Sequence, residues 1–170
     1  MCQSMQIKKE MTGQQAYQKL SALCARSEHC QHDLLEKMLQ WGVSQEEQAA
    51  VMERLVGERY VDDERYARAF VQDKVRYNRW GRRKVEQALW LKHIDKGIIQ
   101  MVLDEVGSSD YLDVLRPLLK QKRRELAAKA VGGWGRAQQA KLIQFALSRG
   151  FTMDVIKQCV DVDDEDEYMD

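Results

Sequence analysis

The 170-residue chain contains a single proline and ten glycines, and nowhere does strict alternation of polar and apolar residues persist. With so few breakers and no strand pattern, β-sandwiches, barrels and parallel α/β folds are excluded, and helices are the expected element. No apolar run approaches the ~20 residues of a membrane span, and the first fifteen residues lack the apolar stretch and small-residue cleavage site of a secretory leader. The expectation is a cytoplasmic chain. The four cysteines, Cys2, Cys24, Cys30 and Cys159, show no CxxC spacing, so no disulfide framework is read from them. Cys24, His29, Cys30 and His32 lie close together but match no common zinc spacing, and Cys24 shares an apolar stripe with Leu20 and Leu23. No metal is expected. Also missing are a phosphate-cradling GxxxxGK[ST] loop, HExxH, GxSxG and a strand-preceded GxGxxG, and the three histidines have no evident nucleophile or carboxylate partner. No catalytic residue and no cofactor are expected.

Net charge is also missing: 27 basic residues balance 27 acidic ones. The balance is local, because residues 161–170 hold seven acidic side chains and no basic one, leaving a body with an excess of seven positive charges. Within it, Lys74 to Lys92 carries seven basic residues to one acidic, and Arg116 to Lys129 six to one. Such runs read either as solvated helix faces or as surfaces for a polyanion. The acidic segment has little to bury and is expected to be disordered.

What the chain has in abundance is helical periodicity, as in Tyr17, Leu20, Leu23, Cys24 and again in Leu34, Leu35, Met38, Leu39. One helix–turn–helix pattern occurs three times. Setting Val43, Ile94 and Phe151 equivalent aligns Leu34 with Val85 and Leu142, Met38 with Leu89 and Ala146, and Val51 with Val102 and Cys159, at offsets of 51 and 57 residues. After each anchor stands a helix-capping type, Ser44, Asp95 or Thr152, and Ser44 with Glu47 spells a capping box. ArgTrpGlyArg at 79–82 and GlyTrpGlyArg at 133–136 form a second repeated element, offset by 54. Leading helices are expected over Tyr17 to Ser27, Asp63 to Tyr77 and Tyr111 to Lys129. Asp62 and Asp63 cap the second, Val61 can staple onto it, and Pro117 either opens or kinks the third.

Three short helices bury little alone, so three such bundles in series are expected to stack. The expected fold is all-α: three tandem three-helix repeats in an elongated, curved array. The boundaries read as a flexible N-terminus 1–15, repeats at 16–59, 60–108 and 109–162, and a disordered acidic tail 163–170.

The remaining chemistry is a basic segment threaded with aromatics: Lys74, Arg76, Arg79, Arg82, Arg83 and Lys84 around Tyr77 and Trp80, with Gly81 allowing a tight turn. Cations at the start of a helix oppose its dipole, which hints at an anion there. Trp80 and Trp134 either stack on bases or pack between helices. Trp41 and Trp90 lie on apolar faces and read as core.

The stretch TyrValAspAspGluArgTyrAlaArgAlaPhe, Tyr60 to Phe70, followed by Gly81, Val85, Leu89 and a turn ending at Ile94, resembles the central signature of the RecX family of bacterial recombination regulators. Tyr60, Asp62, Asp63, Tyr66 and Phe70 carry its first half. The likeness extends to LeuSerArgGlyPhe at 147–151 and spans about Tyr17 to Val160. One departure is His93, where the family has glycine, so a tight or strained turn is expected there. The resemblance implies a cofactor-free regulator of homologous recombination and the SOS response, and a monomer is expected. It would lodge in the groove of the RecA filament on single-stranded DNA, inhibit ATP hydrolysis and strand exchange, and limit filament growth or promote disassembly. Contact candidates are Lys74, Arg76, Arg79, Arg82, Arg83 and Lys84 with Lys120, Arg123 and Arg124, acting on weakly and sequence-independently bound DNA or on the filament. A helix-turn-helix regulator reading duplex DNA is the alternative. Against it, the helix after Asp95 opens Lys96, Gly97, Ile98, Ile99 and offers no polar reading face.

Overall fold

The computed structural model describes residues 10–164, with side chains to residue 160. Among the described residues every regular element is a helix: α1 (Gly13–Arg26), α2 (Gln31–Gln40), α3 (Gln45–Gly57), α4 (Asp63–Arg76), α5 (Arg82–Leu91), α6 (Lys96–Asp104), α7 (Ser108–Lys129), α8 (Arg136–Ser148) and α9 (Met153–Asp164). Their described residues gather into two compact units, 10–69 with Lys92–Ile94 and Phe70–Leu91 with 95–164, the division falling within α4.

In the first unit α3 packs against both α1 and α2. Leu20, Leu34, Met38 and Leu55 are fully enclosed there, and Val61, the expected staple, joins the same cluster. Each such side chain contributes roughly 1.5–3 kcal/mol. Helix α1 opens at Gly13, inside the stretch 1–15 expected to be flexible. Thr12 and Gln15 account for the difference: Gln15 N–H donates to Thr12 Oγ1 (3.2 Å) and Thr12 N–H to Gln15 Oε1 (3.1 Å), a full capping box. The box expected at Ser44 is only half made. Glu47 N–H donates to Ser44 Oγ (3.3 Å), but the Glu47 side chain lies against Gly13 of α1 instead of folding back. Cys2 lies outside the described residues. Cys24, Cys30 and Cys159 are free thiols.

In the second unit α5 pairs with α6, and α7 packs on α8 and α9. Pro117 neither starts nor ends α7, which passes through it. A proline in a helix interior costs about 3 kcal/mol. Leu115, Leu118 and Leu119, buried on either side, hold the helix together across that fault. Helix α9 continues to Asp164, into the segment expected as tail, while residues 165–170 lie outside the described part.

The sequence register is visible in the burial. Leu34, Val85 and Leu142 are buried, as are Met38, Leu89 and Ala146, and Val43, Ile94 and Phe151. Each anchor follows a residue with left-handed backbone: Gly42 (φ 72°), His93 (φ 54°) and Gly150 (φ 92°). Helices α2 and α8 end in the same paired bonds. Val43 N–H reaches Met38 O (3.1 Å) and Gly42 N–H reaches Leu39 O (3.2 Å), while Phe151 N–H reaches Ala146 O (3.2 Å) and Gly150 N–H reaches Leu147 O (2.9 Å). This closure needs positive φ at its turning residue, where glycine is unstrained and histidine is not. The strain expected at His93 is therefore present.

Candidate functional site

The paired aspartates of the motif each serve one helix N-terminus. Asp62 accepts from Arg65 N–H (3.0 Å) at the start of α4. Asp63 instead accepts from Gln31 N–H (2.9 Å) at the start of α2, where Cys30 supplies no side-chain cap. Burial pushes the Asp63 carboxyl upward, opposed by the Gln31 bond. Tyr60 stands edge-on to Tyr17, with ring centroids 6.4 Å apart. Tyr66 and Phe70 are half-buried, and burial raises the Tyr66 phenol well above its ordinary range. Val85, Leu89 and Ile94 are core. These positions build the scaffold.

The basic segment follows α4. Gly81 N–H donates to Arg149 O (2.8 Å) and Arg83 N–H to Gly150 O (3.0 Å), so the start of α5 sits on the α8–α9 turn. The approach is so close that a Cβ on Gly81 would lie 2.2 Å from Phe151 N, and one on Gly150 would lie 2.4 Å from Lys84 Cβ. Two backbone carbonyls thus occupy donors at a helix start where the sequence hinted at an external anion.

The cations of this segment divide into two groups. Arg82 is half-buried and bound to Asp104 (2.7 Å) and Gln100 (3.2 Å) of α6. Lys74 and Lys84 place their ammonium groups 5.0 and 4.6 Å from the centroid of the half-buried Trp80 ring. Trp134 is likewise half-buried, with the Arg123 guanidinium 4.9 Å from its ring. Arg76, Arg79 and Arg83 are exposed. Of the six cations proposed here from sequence, three are engaged within the chain and three face solvent.

On α7, Lys120 and Arg124 are exposed and Arg123 is half-buried. Arg116, Lys120 and Arg123 fall on one face, at i, i+4 and i+7, and line a groove of about 380 Å³ floored by Leu119, Leu142, Cys159 and Val160. Arg116 belongs to the basic run 116–129 but is not among the contact candidates read from the sequence. Trp90 corrects another expectation: it is 69% exposed, with Leu91 66% exposed beside it. The face of α5 turned inward is set by Val85 and Leu89, four apart, and the residue after Leu89 points about 100° away. With Arg83, Glu86 and Gln87 the pair lines an open groove of about 620 Å³. Trp41 lies partly buried against the first unit's core.

Among the described residues one group has donor spacing suited to a metal, His32, Asp33 and Glu36. It is not the Cys/His set weighed in the sequence. Lys92 Nζ already lies 2.9 and 3.1 Å from the two Asp33 oxygens, and His93 stacks on His32 at 4.3 Å, so the place is held by a protein cation. No described helix is long and apolar enough to cross a membrane.

Comparison with known proteins accords with this geometry. The family model for the second three-helix domain of RecX matches residues 62–103, and that for the third matches residues 109–160, together more than half of the chain. The regulatory protein RecX of Vibrio campbellii is 29% identical over 161 residues, covering 88% of this chain and 99% of its own. That of Actinobacillus pleuropneumoniae serotype 5b is 29% identical over 159 residues, covering 93% and 99%. A crystal structure of regulatory protein RecX superposes with a TM-score of 0.79 at 19% identity, over 88% of this chain and 71% of that one. RecX from Lactobacillus salivarius gives 0.77 at 16% identity, over 88% and 94%. With tandem three-helix domains, a turn that demands glycine at Gly81 and Gly150, and matches along most of its length, the chain belongs to the RecX family of regulatory proteins.

Proposed function

We propose that this chain is a non-enzymatic regulator that binds the RecA recombinase filament on single-stranded DNA and inhibits its ATPase and strand exchange. The observation that carries the reading is the set of exposed cations held by the family's second and third domains. Arg76, Arg79 and Arg83 flank the start of α5, and Arg116, Lys120 and Arg124 run along α7. These side chains suit phosphates or the acidic surface of a filament, with salt-sensitive and sequence-blind affinity. Such a regulator acts by binding one state of the filament more tightly than another. The relatives' naming as regulatory proteins supports a role without catalysis.

The test adds the full chain to RecA assembled on single-stranded DNA and follows ATP hydrolysis. Inhibition near stoichiometric amounts is expected, and undiminished hydrolysis refutes the reading. The helix-turn-helix alternative has less support, since α6 buries Ile99, Val102 and Leu103 and exposes Lys96, Gly97, Met101 and the acidic Asp104. A strong preference for one duplex sequence would favour it.

A further inference from the structure

The α7 groove has cationic walls and an apolar floor, and the chain itself supplies a matching occupant. Among the described residues no carboxylate is bonded to Arg116 or Lys120, although both line the groove. Its lining includes Cys159 and Val160, near the end of α9, which packs along α7 and stops at Asp164. Residues 165–170 therefore begin about one helical turn past the groove's own lining. Residues 165–170 can span roughly 20 Å when extended, whereas Arg116 and Lys120 are separated by about one turn, roughly 6 Å. Charge agrees with reach: residues 165–170 carry four acidic side chains, Glu165, Asp166, Glu167 and Asp170, and no basic one.

We propose that the acidic segment 165–170 of this same chain docks along the α7 groove against Arg116 and Lys120, occupying the place a polyanion would take. The docking stands on charge and position alone. Its consequence, that the segment competes with DNA for α7, rests on the function proposed above. A folded body with exposed cations would otherwise attract any polyanion, and a tethered competitor present at high local concentration raises the threshold for binding.

The experiment treats the full chain with a water-soluble carbodiimide at low salt and maps the zero-length links by mass spectrometry. A link between Lys120 and a carboxylate of residues 165–170 in the monomer band, fading in molar salt, is the expected result. Absence of that link, or its confinement to a dimer band, overturns the proposal. Alkylation of Cys159, mapped apart from Cys24 and Cys30, gives a second measure of groove access. It should quicken when the chain is cut after Asp164, and an unchanged rate counts against docking. For the consequence, the cut chain should bind a labelled oligothymidylate about tenfold more tightly at low salt, a gain erased by Arg116→Glu with Lys120→Glu. If neither full nor cut chain binds the oligonucleotide, the DNA reading fails while the cross-link still decides the docking.

Discussion

Gly81 and Gly57 are the same residue in opposite surroundings. A Cβ on Gly81 meets backbone atoms of Gly150 and Phe151 at 2.2–2.5 Å, whereas one on Gly57 meets nothing within 4 Å. Gly81→Ala is expected to destabilise by roughly 1–3 kcal/mol or more, because backbone cannot yield as a side chain can. Gly57→Ala, in the last turn of a helix, is expected to stabilise by about 0.4–1 kcal/mol. Urea denaturation of both variants checks the contrast. At His93, with φ 54°, His93→Gly should be more stable than His93→Ala by about 1 kcal/mol, since both lose the stack on His32 and only glycine escapes the left-handed strain. Glu58 illustrates titration at an exposed site: the Tyr17 hydroxyl, then Arg54, holds its carboxyl below the ordinary glutamate value. A depressed carboxyl contributes stability above its unfolded value and loses it as pH falls through the folded one. In Tyr17→Phe, carboxyl NMR should find the Glu58 titration moved up toward the ordinary glutamate value.

Between elements, the structure uses one joint twice with different chemistry. The α5 start meets the α8–α9 turn through Gly81 and Gly150, backbone against backbone. At the 51-residue and 57-residue offsets, the corresponding positions are Cys30 and His93. Both carry a Cβ, and side chains make the contact instead, Asp33 to Lys92 and His32 on His93. Asp63 belongs to this scale too, as a cap lent by the start of α4 to α2. Asp63→Ala should cost about 1–2 kcal/mol and speed hydrogen exchange at the Gln31 amide, while Asp63→Asn keeps an acceptor and loses less. The helical register, anchors and turn positions were legible because burial at i and i+4 and left-handed closures leave a periodic trace. The lending of Asp63 was not, for its two partners are 32 residues apart and each looks like an ordinary helix start.

For the whole molecule, the candidate contact surface is narrower than its list of charges. Arg82 and Lys84 resemble Arg83 in sequence, yet Arg82 is bound to Asp104 and Lys84 covers Trp80, leaving Arg83 exposed. Arg79→Glu with Arg83→Glu should weaken RecA inhibition with thermal stability unchanged, and lower the salt dependence of single-strand binding by about 0.7 per cation. Arg82→Glu should do the reverse, lowering the melting temperature first by placing a carboxylate beside Asp104. An ATPase titration beside a melting curve separates the two outcomes.

The sequence by itself determined the helices, their threefold register and the family, because periodic burial and capping residue types are local properties that each repeat states again. Tertiary structure alone decided which cations face solvent, which aspartate caps which helix, and why Trp90 lies outside while Trp80 is half covered. Those outcomes depend on what stands opposite a side chain, and the neighbour comes from a distant part of the chain that no local pattern names.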